Sequence, residues 1–409
     1  MKCRHCDHEL SQTFLDLGSA PPSNAYLSAT ELNAPEIFYP LRLMVCEHCY
    51  LVQTEDYAGR ETLFSKDYAY FSSFSSSWLI HAKHYVTQMI ERFGFTDQSR
   101  IVEVAANDGY LLQYVKAICI PCYGIEPTTS TAEAAREKGI EIIEKFFGVA
   151  LANELVEQNL QADLIAANNV LAHVPDINDF VSGFSRLLKS TGIATFEFPH
   201  LLKMVQENEF DTVYHEHYSY LSLTSVKKIF TANGLAIFDV EELPTHGGSL
   251  RLFAQRLDTG MFSIDPSVNE LLMIEEKAGI TTTTFYSHVQ TQAEIVKNDL
   301  LAFLIDAKRQ GKTVVGYGAA AKGNTLLNFV GVRSDLLLFI VDKNPSKQHK
   351  FMPGSRISIV DESQLNKQKP DYILILPWNL KGEIITQLDY VRDWGGQFVV
   401  AVPKLQIEL

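Results

Sequence analysis

The stretch RIVEVAANDGYLL, residues 100–112, decides how the middle of the chain folds. Its first half is an apolar run typical of a buried strand, and the turn formers Asn107, Asp108 and Gly109 follow before apolar residues resume. The same change from apolar run to polar turn recurs in CYGIEPT, DLIAANNVLAHV and GIATFEFPH, separated by the helix-like STAEAAREKG and INDFVSGFSRLLKS. This alternation predicts an α/β domain with a doubly wound parallel sheet.

The chain has 409 residues, more than one ordinary core organises, so we expect three parts. Residues 1–60 are rich in Cys, His and Pro and predict a small module with little core of its own. Residues 61–240 hold the α/β domain described above. Residues 241–409 begin with a long helical stretch and then repeat the strand–turn–helix alternation, which predicts a second, Rossmann-like α/β domain.

Composition excludes several classes of partner. A formal net charge of −14 disfavours DNA or RNA, which are polyanions. The apolar content of 46% is typical of a globular protein, and no run of about 18 apolar residues could span a membrane. The opening MKCRHCDHEL lacks the apolar core of a signal peptide. We therefore expect a cytoplasmic protein, monomeric or weakly homo-oligomeric.

Two cysteine pairs, Cys3-x-x-Cys6 and Cys46-x-x-Cys49, predict a metal site. Each pair brings two thiolates to one ion, and two pairs complete a tetrahedral zinc site that cross-links a module with a small core. The intervening 39 residues exceed the usual spacing of a zinc ribbon. The alternative, two unrelated surface pairs, requires both spacings to arise by chance. Such a closed site is structural.

Cys119 and Cys122 form a third C-x-x-C spacing, which could be a redox pair. They lie just before an apolar run, where a helix-to-strand connection is expected, and not at an exposed helix start where thiolates gain reactivity. We expect buried, unreactive cysteines.

The turn after the first strand predicts a cofactor without a phosphate. It holds only Gly109, whereas the loop that lets a pyrophosphate approach has three glycines. Glu126 follows Glu103 by 23 residues, at the end of the next strand, where a carboxylate accepts both hydroxyls of an adenosine ribose. S-adenosylmethionine has this ribose and no phosphate.

A rival cofactor signal lies in VVGYGAAAKGNT. Gly316, Gly318 and Ala321 fit G-x-G-x-x-A after a strand, and Asp342 ends the next strand, as an NAD site requires. Alternatively the glycines serve only a tight turn, or Lys322 and the start of the helix hold a diphosphate. The pattern alone leaves the three interpretations open.

The segment DTVYHEHYSYLS, residues 211–222, crowds proton-handling groups together. His215, Glu216 and His217 lie between Tyr214 and Tyr218, and could serve as a metal site, as a catalytic base in a buried pocket, or as a polar surface loop. Adjacent residues point to different sides, which disfavours the metal site.

Long motifs resemble those of a known family. They are the four-cysteine module, FSKDYAYFSSFSSS, VEVAANDG, GIEP, ANNVLAHVPD, FDTVYHEHYSYLS, THGGSLR, GYGAAAKGNTLLNF, DKNPSK and ILILPWN. Across nearly its whole length the chain resembles the S-adenosylmethionine-dependent C-methyltransferases of nucleotide-linked ketosugars, of the D-tetronitrose type. The resemblance implies a zinc-binding module, a central class I methyltransferase domain, and a carboxyl-terminal Rossmann-like domain without a redox role that contributes to nucleotide-sugar binding.

The resemblance also implies roles for individual residues. The methyl donor is expected at Glu103, Asn107, Asp108, Gly109, Glu126 and Asn168. The catalytic positions are expected to be Tyr68, His173, Tyr214, Glu216 and His217. The substrate is expected to contact His246, Ser249, Arg251, Lys322 and Asn324. Ala106 and Tyr110 depart from the family pattern, which alters the wall of the donor pocket.

The expected chemistry explains the crowded segment. Methyl transfer to carbon requires removal of a proton beside the keto group and stabilisation of the enolate. We expect His217 to be the base, acting beside a 4-keto group at position 3 of a dTDP sugar, with Tyr214 and His173 steadying the oxyanion and Tyr68 covering the sugar. Two other functions stay open: an NAD-dependent nucleotide-sugar oxidoreductase, and a zinc-bearing scaffold.

Overall fold

The computed structural model of the protein describes residues 1–55, 57 and 71–408. Three β-sheets follow one another along the described chain.

The amino-terminal sheet is antiparallel and has four strands. Three strands come from the cysteine-rich module: β1 (Gln12–Ala20), β2 (Tyr39–Val45) and β3 (Val52–Thr54). The fourth, β9 (Ser219–Tyr220), comes from the middle of the chain and pairs with β3. The segment that precedes β9 is therefore attached to the cysteine-rich module.

The central sheet has seven strands in the order β10-β11-β8-β7-β4-β5-β6. Strands β4 to β8 are parallel, and β11 runs antiparallel to both of its neighbours. The strands are β4 (Ile101–Val104), β5 (Cys122–Ile125), β6 (Ile142–Ile143), β7 (Ala162–Asn168), β8 (Leu188–Pro199), β10 (Leu235–Leu243) and β11 (Ser249–Arg256). The predicted doubly wound α/β fold is confirmed, and its ligand site is expected where the order reverses, between β4 and β7.

Helices accompany this sheet, and the first shows why they form. Ser75 accepts a hydrogen bond from the backbone N–H of Trp78 at the start of α1, and Gly94 ends the helix in the left-handed conformation. Apolar residues at helical spacing bury one face. The helices are α1 (Ser76–Phe93), α2 (Leu112–Ala117), α3 (Thr129–Glu137), α4 (Val149–Glu157), α5 (Ile177–Leu187), α6 (Leu201–Gln206) and α7 (Leu223–Ala232).

The division proposed at residue 240 falls inside β10, and β11 continues the central sheet to Arg256. The loop between these two strands holds the THGG stretch, so it lies at the edge of the central sheet and not in a separate unit.

The long helical stretch near residues 267–309 consists of three helices, α8 (Pro266–Ala278), α9 (Thr283–Tyr286) and α10 (Val289–Arg309). Gly279, with φ of +91°, ends the first of them. The TTTTF segment, residues 281–285, supplies both the N-cap Thr282 and the first turn of α9.

The carboxyl-terminal sheet has six strands in the order β14-β13-β12-β15-β16-β17, all parallel except the last. This confirms the second Rossmann-like sheet. The strands are β12 (Val314–Tyr317), β13 (Ile340–Val341), β14 (Ile359–Val360), β15 (Tyr372–Ile375), β16 (Gln397–Val400) and β17 (Gln406–Glu408). The helices are α11 (Ala321–Val330), α12 (Ser363–Gln368) and α13 (Lys381–Gln387).

Short 3₁₀ turns connect many of these elements within the described residues. They are Glu31–Asn33, Ser72–Phe74, Leu171–His173, Phe210–Thr212, Thr245–Gly247, Trp378–Leu380 and Asp389–Trp394.

The three parts of the chain share apolar packing. One buried cluster contains Leu15 of the cysteine-rich module, Phe210 of the middle of the chain and Leu326 of α11. Because these residues are removed from water together, the three parts stabilise one another. No helix among the described residues has the length and apolar character needed to cross a bilayer.

The expectation of two buried cysteines after α2 is wrong for Cys119, which is exposed, while Cys122 at the start of β5 is partly buried. Cys119 adopts φ of +60° in the connection, which turns it out of the apolar packing. The two thiols are not joined in a disulfide. Burial raises the pKa of Cys122 to about 11, so this thiol is protonated at neutral pH.

Candidate active site

Four cysteine thiols converge in the amino-terminal module. The Sγ atoms of Cys3, Cys6, Cys46 and Cys49 all lie within 4.8 Å of one another. Cys3 and Cys49 are 3.5 Å apart, and Cys6 and Cys46 are 3.6 Å apart, with no disulfide between them. Four thiolates at about 2.3 Å from one zinc ion would stand about 3.8 Å from each other. The residues therefore fit a structural zinc site.

A cavity of about 390 Å³ lies at the carboxyl ends of β4, β5 and β7, where a doubly wound sheet binds its ligand. All three parts of the chain contribute to its wall. The lining residues used below are Asn24, Trp78, Asn107, Glu126, Asn168, His173, Tyr214, His217, His246, Ala320, Ala321, Lys322 and Lys347.

Glu126 is held firmly at one end of the cavity. Its two carboxylate oxygens accept hydrogen bonds of 2.9 Å from the backbone N–H groups of Asn107 and Thr128. Burial raises the pKa of this carboxyl group, and the two N–H groups counter that effect. A fixed carboxylate beside the turn after β4 fits the ribose of the expected methyl donor.

Other predicted donor residues lie around this turn. Asn168, at the end of β7, has a buried Oδ1 without a hydrogen-bond partner among the described residues, so it can accept from a ligand. Glu103 and Asp108 are buried behind the turn, and neither lines the cavity. Gly109 takes φ of +74° in the turn itself. The structure thus brings Asn107, Glu126 and Asn168 together in the cavity wall.

A partly buried tyrosine–histidine pair lies in the same cavity. The hydroxyl of Tyr214 is 2.7 Å from Nε2 of His217, and Nδ1 of His217 is 3.1 Å from the carbonyl oxygen of Thr212. A carbonyl only accepts, so Nδ1 carries the proton and Nε2 accepts from Tyr214. Burial and then the neighbouring His173 hold the pKa of His217 well below its ordinary value. The imidazole is therefore neutral at neutral pH.

His173 adjoins this pair, with its ring centroid 4.5 Å from that of His217. Its Nδ1 is 2.9 Å from the carbonyl oxygen of Glu216, so Nδ1 donates there and Nε2 is left as an acceptor. Burial lowers the pKa of His173 to about 4 and, in the same way, that of His246 to about 4.

The three neighbours in the His-Glu-His segment point to different partners. Nε2 of His215 faces the carbonyl oxygens of Tyr39 and Pro40, at 3.3 and 3.2 Å, and Glu216 accepts a hydrogen bond from Asn24. Among the residues that the structure describes, the cysteine quartet is the group able to hold a metal ion. Burial raises the pKa of Glu216 to about 7.

The start of α11 forms part of the cavity wall. Lys322 donates to Oδ1 of Asn379 at 2.9 Å and lies 4.3 Å from the centre of the Trp378 ring. Burial lowers the pKa of this ammonium group, while the carboxylates of Asp211 and Glu209 oppose the shift. Lys322 thus lines the same cavity as Glu126.

The residues of the G-x-G-x-x-A pattern are engaged within the protein. Oδ2 of Asp342 accepts from the N–H of Ala319 at 2.7 Å, and Oδ1 accepts from the N–H of Asn344 at 2.8 Å. A Cβ on Gly318 would lie 2.5 Å from the Pro377 ring. The glycine therefore permits a close turn against Pro377, which favours the packing role over an NAD site.

Three predicted substrate residues make their contacts with the protein itself. Arg251 is 2% exposed and pairs with Glu197 at 3.0 Å. The hydroxyl of Ser249 donates to the Thr245 carbonyl, and Asn324 is fully buried. Their substrate role stays a prediction.

His246 and Lys322 do line the cavity. Tyr68 lies outside the described residues. Sequence reasoning did not assign Asn24, Trp78 and Lys347 to the site. Asn24 and Trp78 stand in no quoted motif, whereas Lys347 ends the motif DKNPSK, which could have drawn attention to it.

Comparisons with known proteins match the whole chain. Residues 3–64 match the family model described as "Putative zinc binding domain", residues 78–240 match "Methyltransferase domain", and residues 244–403 match "C-methyltransferase C-terminal domain". The C-methyltransferase NovU of Streptomyces niveus is 32% identical over 406 residues, which cover 99% of this chain and 96% of that protein.

Solved structures resemble part of the chain more weakly. A magnesium protoporphyrin IX methyltransferase of Synechocystis with bound S-adenosylmethionine is 16% identical and covers 50% of this chain and 100% of its own, with a TM-score of 0.36. A methyltransferase of Thermotoga maritima is 15% identical and covers 45% of this chain and 94% of its own, with a TM-score of 0.34. Scores this low do not establish a shared fold.

The NovU match extends along the full chain, and the zinc-binding, methyltransferase and C-methyltransferase domain models follow in the same order as the three sheets. The chain therefore belongs to the S-adenosylmethionine-dependent C-methyltransferases, with a zinc-binding amino-terminal module.

Proposed function

We propose that this enzyme methylates carbon 3 of a nucleotide-linked 4-keto-deoxysugar, with dTDP as the nucleotide. The main support is that one cavity holds both the fixed Glu126 carboxylate and the partly buried Tyr214–His217 pair. Methyl transfer to carbon requires prior loss of a proton beside a carbonyl group, whereas transfer to oxygen or nitrogen does not. A proton-accepting pair in the cavity that also holds Glu126 therefore suits a ketone substrate.

The methyl donor is proposed to bind through the residues around the turn after β4. Glu126 accepts the ribose hydroxyls, Asn168 offers its free Oδ1, and Glu103, Asn107, Asp108 and Gly109 shape the turn that supports them. S-adenosylmethionine, when bound, supplies an electrophilic methyl group. Trp78, stacked on His81 at 4.8 Å between ring centroids, lines the cavity and helps to exclude water.

His217 is proposed as the base. Thr212 holds the proton on Nδ1, which leaves the Nε2 lone pair to take a proton from carbon 3 of the sugar. Tyr214 donates to Nε2 in the structure described here. When the sugar binds, the Tyr214 hydroxyl turns to donate to the keto oxygen, where the negative charge develops, and this frees the Nε2 lone pair to take the proton from carbon 3.

His173 is proposed to lie beside the reacting pair with its proton held on Nδ1 by the Glu216 carbonyl. Its expected part in steadying the oxyanion stays a prediction. With a pKa of about 4, His173 has no second proton to give at neutral pH.

Base catalysis by His217 can be tested through proton exchange. We expect His217→Asn to lower turnover about 100-fold or more, the usual contribution of a general base, while the sugar still binds. The measurement follows exchange of the proton on carbon 3 with deuterated water, with enzyme and S-adenosylhomocysteine present, and a gain of one methyl mass in the full reaction. His84→Asn, on the exposed face of α1, is the control.

Exchange by His217→Asn at the wild-type rate would show that another residue is the base. If the unchanged enzyme adds no methyl group to any dTDP-4-keto-deoxysugar, the proposed substrate class is wrong.

Lys322 is proposed to hold the substrate's diphosphate together with the start of α11. The N-cap Ala320 has no side chain that could cap the helix, so the first N–H groups are available to an anion beside the lysine ammonium.

We expect Lys322→Ala to raise the Michaelis constant for the nucleotide sugar about 10-fold or more. Lys312→Ala, on an exposed lysine of the same domain, is the control. An unchanged Michaelis constant together with tight NAD binding would refute the assignment.

A further inference from the structure

Asn24 brings the zinc-binding module into the cavity. It follows β1 and lies in the cavity wall, as do Ala320 and Lys347 of the carboxyl-terminal domain. Its Nδ2 donates to Oε2 of Glu216 at 3.0 Å. Glu216 itself is 1% exposed and does not line the cavity. The asparagine therefore lies between the buried carboxylate and the substrate space.

The other end of the Asn24 amide is left to accept. Its Oδ1 lies 3.5 Å from the hydroxyl of Tyr26, but that hydroxyl is only 2.6 Å from the carbonyl oxygen of Ala319. A phenol has one hydrogen, and the shorter contact takes it. Tyr26 therefore leaves the Oδ1 of Asn24 open to a donor from another source.

The orientation of this amide follows from Glu216. An ionised carboxylate can only accept, so it requires the NH₂ side of Asn24 to face it and turns Oδ1 away. We propose that Asn24 is a substrate-binding residue whose Oδ1 accepts a hydrogen bond from a hydroxyl or amino group of the sugar, and that Glu216 is the positioning residue that orients it. This inference rests on the proposed function, since it assumes a sugar in the cavity.

The test compares Asn24→Ala, Glu216→Gln and the double variant on a dTDP-4-keto-deoxysugar that the wild type methylates. Asn24→Ala should raise the Michaelis constant about 10-fold with turnover changed less than about 3-fold, the effect of one lost hydrogen bond. Glu216→Gln can donate to Oδ1 and turn the amide around, so it should cause a similar loss. The double variant should be no worse than either single variant, because both act on one contact.

Two controls separate this role from a structural one. Asn33→Ala changes an exposed asparagine of the same module and should leave the Michaelis constant unchanged. Calorimetry with S-adenosylhomocysteine should give the wild-type affinity for every variant, which shows that each is folded.

A wild-type Michaelis constant for Asn24→Ala overturns the proposal, as do additive losses in the double variant or a fall in turnover alone for Glu216→Gln. Absence of sugar methylation by the wild type refutes the proposed function instead, and that result is obtained before any variant is compared.

Discussion

Backbone carbonyl groups fix the protonation of the two histidines nearest the reaction. Thr212 and Glu216 each accept from an Nδ1, so the proton of His217 and that of His173 both lie on Nδ1 and not on Nε2. This arrangement uses main-chain atoms, which cannot change their charge. It leaves the side chain of Glu216 free for a different task, the hydrogen bond with Asn24.

The Glu216–Asn24 contact predicts a pH dependence. Burial raises the pKa of Glu216 to about 7, so the carboxyl group is ionised above that pH and protonated below it. A protonated Glu216 no longer requires the NH₂ side of Asn24, so the Michaelis constant for the sugar should rise as pH falls through about 7. We expect this rise in steady-state kinetics of the wild type and its loss in Glu216→Gln.

Other titratable groups near Glu216 and Lys322 could also change charge with pH, so they decide which control variants this measurement needs. The histidines of the cavity titrate lower, and burial raises the pKa values of Tyr26 and Tyr220, which face Glu216. Glu209, near Lys322, has a pKa of about 7 as well. A Glu209→Gln variant should therefore keep the pH dependence. Its disappearance there would assign the titration to Glu209.

Sequence reasoning singled out residues whose chemistry and spacing coincide in one short segment. His217, Tyr214 and Glu126 stand in dense local motifs, and the structure places all three in one cavity. It could not foresee that Arg251 pairs with Glu197, since a cation in sequence looks the same whether it meets a ligand or a buried carboxylate. Asn24 carried no signal because its partner Glu216 lies far along the chain.

The turn between β4 and α2 depends on the space around Gly109. This residue takes φ of +74°, and a Cβ there would lie 2.3 Å from Cδ1 of Ile140. Gly94 also has positive φ, +67°, but nothing lies within 4 Å of its Cβ position. The two glycines therefore share the same backbone requirement and differ in steric surroundings.

Alanine at each of these two glycines should separate the free-energy cost of the positive φ from the cost of the clash with the added Cβ. Gly94→Ala should lower the free energy of unfolding by about 1 kcal/mol, the cost of a left-handed residue with a side chain. Gly109→Ala should cost about 1–3 kcal/mol more, because Ile140 must move. Urea denaturation measures both. Equal losses would mean that the packing around Gly109 yields without cost. Weaker binding of S-adenosylhomocysteine is also expected for Gly109→Ala alone.

The turn between β12 and α11 shows the limit of pattern recognition for an element. Its glycines, and Asp342 after the next strand, satisfy a dinucleotide pattern, and the predicted strand and helix are present. Pro377, which fills the space beside Gly318, comes from the turn after β15. Because that contact joins distant parts of the chain, the spacing of the glycines alone could not distinguish a packed turn from a ligand loop.

The zinc-binding module is joined to the active site by a strand that sequence did not predict. β9 has only two residues, too few to show an alternating pattern, yet it pairs with β3 directly after His217. The hydroxyl of Thr54 donates to the carbonyl oxygen of His217 at 3.3 Å. Gln53, beside it, donates from Nε2 to Sγ of Cys3 at 3.3 Å and accepts from the N–H of Arg4 at 2.9 Å. A short chain of contacts thus connects the cysteine quartet with the proposed base.

Removal of zinc should therefore separate methyl transfer from donor binding. Metal–thiolate bonds replace a large core in a module this small, so chelation is expected to disorder the module and release β9. Methylation and proton exchange on carbon 3 should both be lost, about 100-fold or more, because His217 loses the strand that positions it. The hydrogen bonds that fix Glu126 come from Asn107 and Thr128 of the central domain and not from the module, so S-adenosylhomocysteine should bind within about 3-fold of its original affinity.

Metal analysis, calorimetry and the exchange assay on the same sample test this expectation, and re-addition of zinc should restore exchange. Purified protein without one zinc per chain would contradict the site at Cys3, Cys6, Cys46 and Cys49. Equal loss of donor binding and exchange would show instead that the module supports the whole fold, since the buried cluster that Cys3, Cys46 and Cys49 share with Ile125 and Ala167 would then be the connection that matters. Selective loss of exchange is expected, because Thr54 of the module donates to the His217 carbonyl whereas the hydrogen bonds to Glu126 come from the central domain.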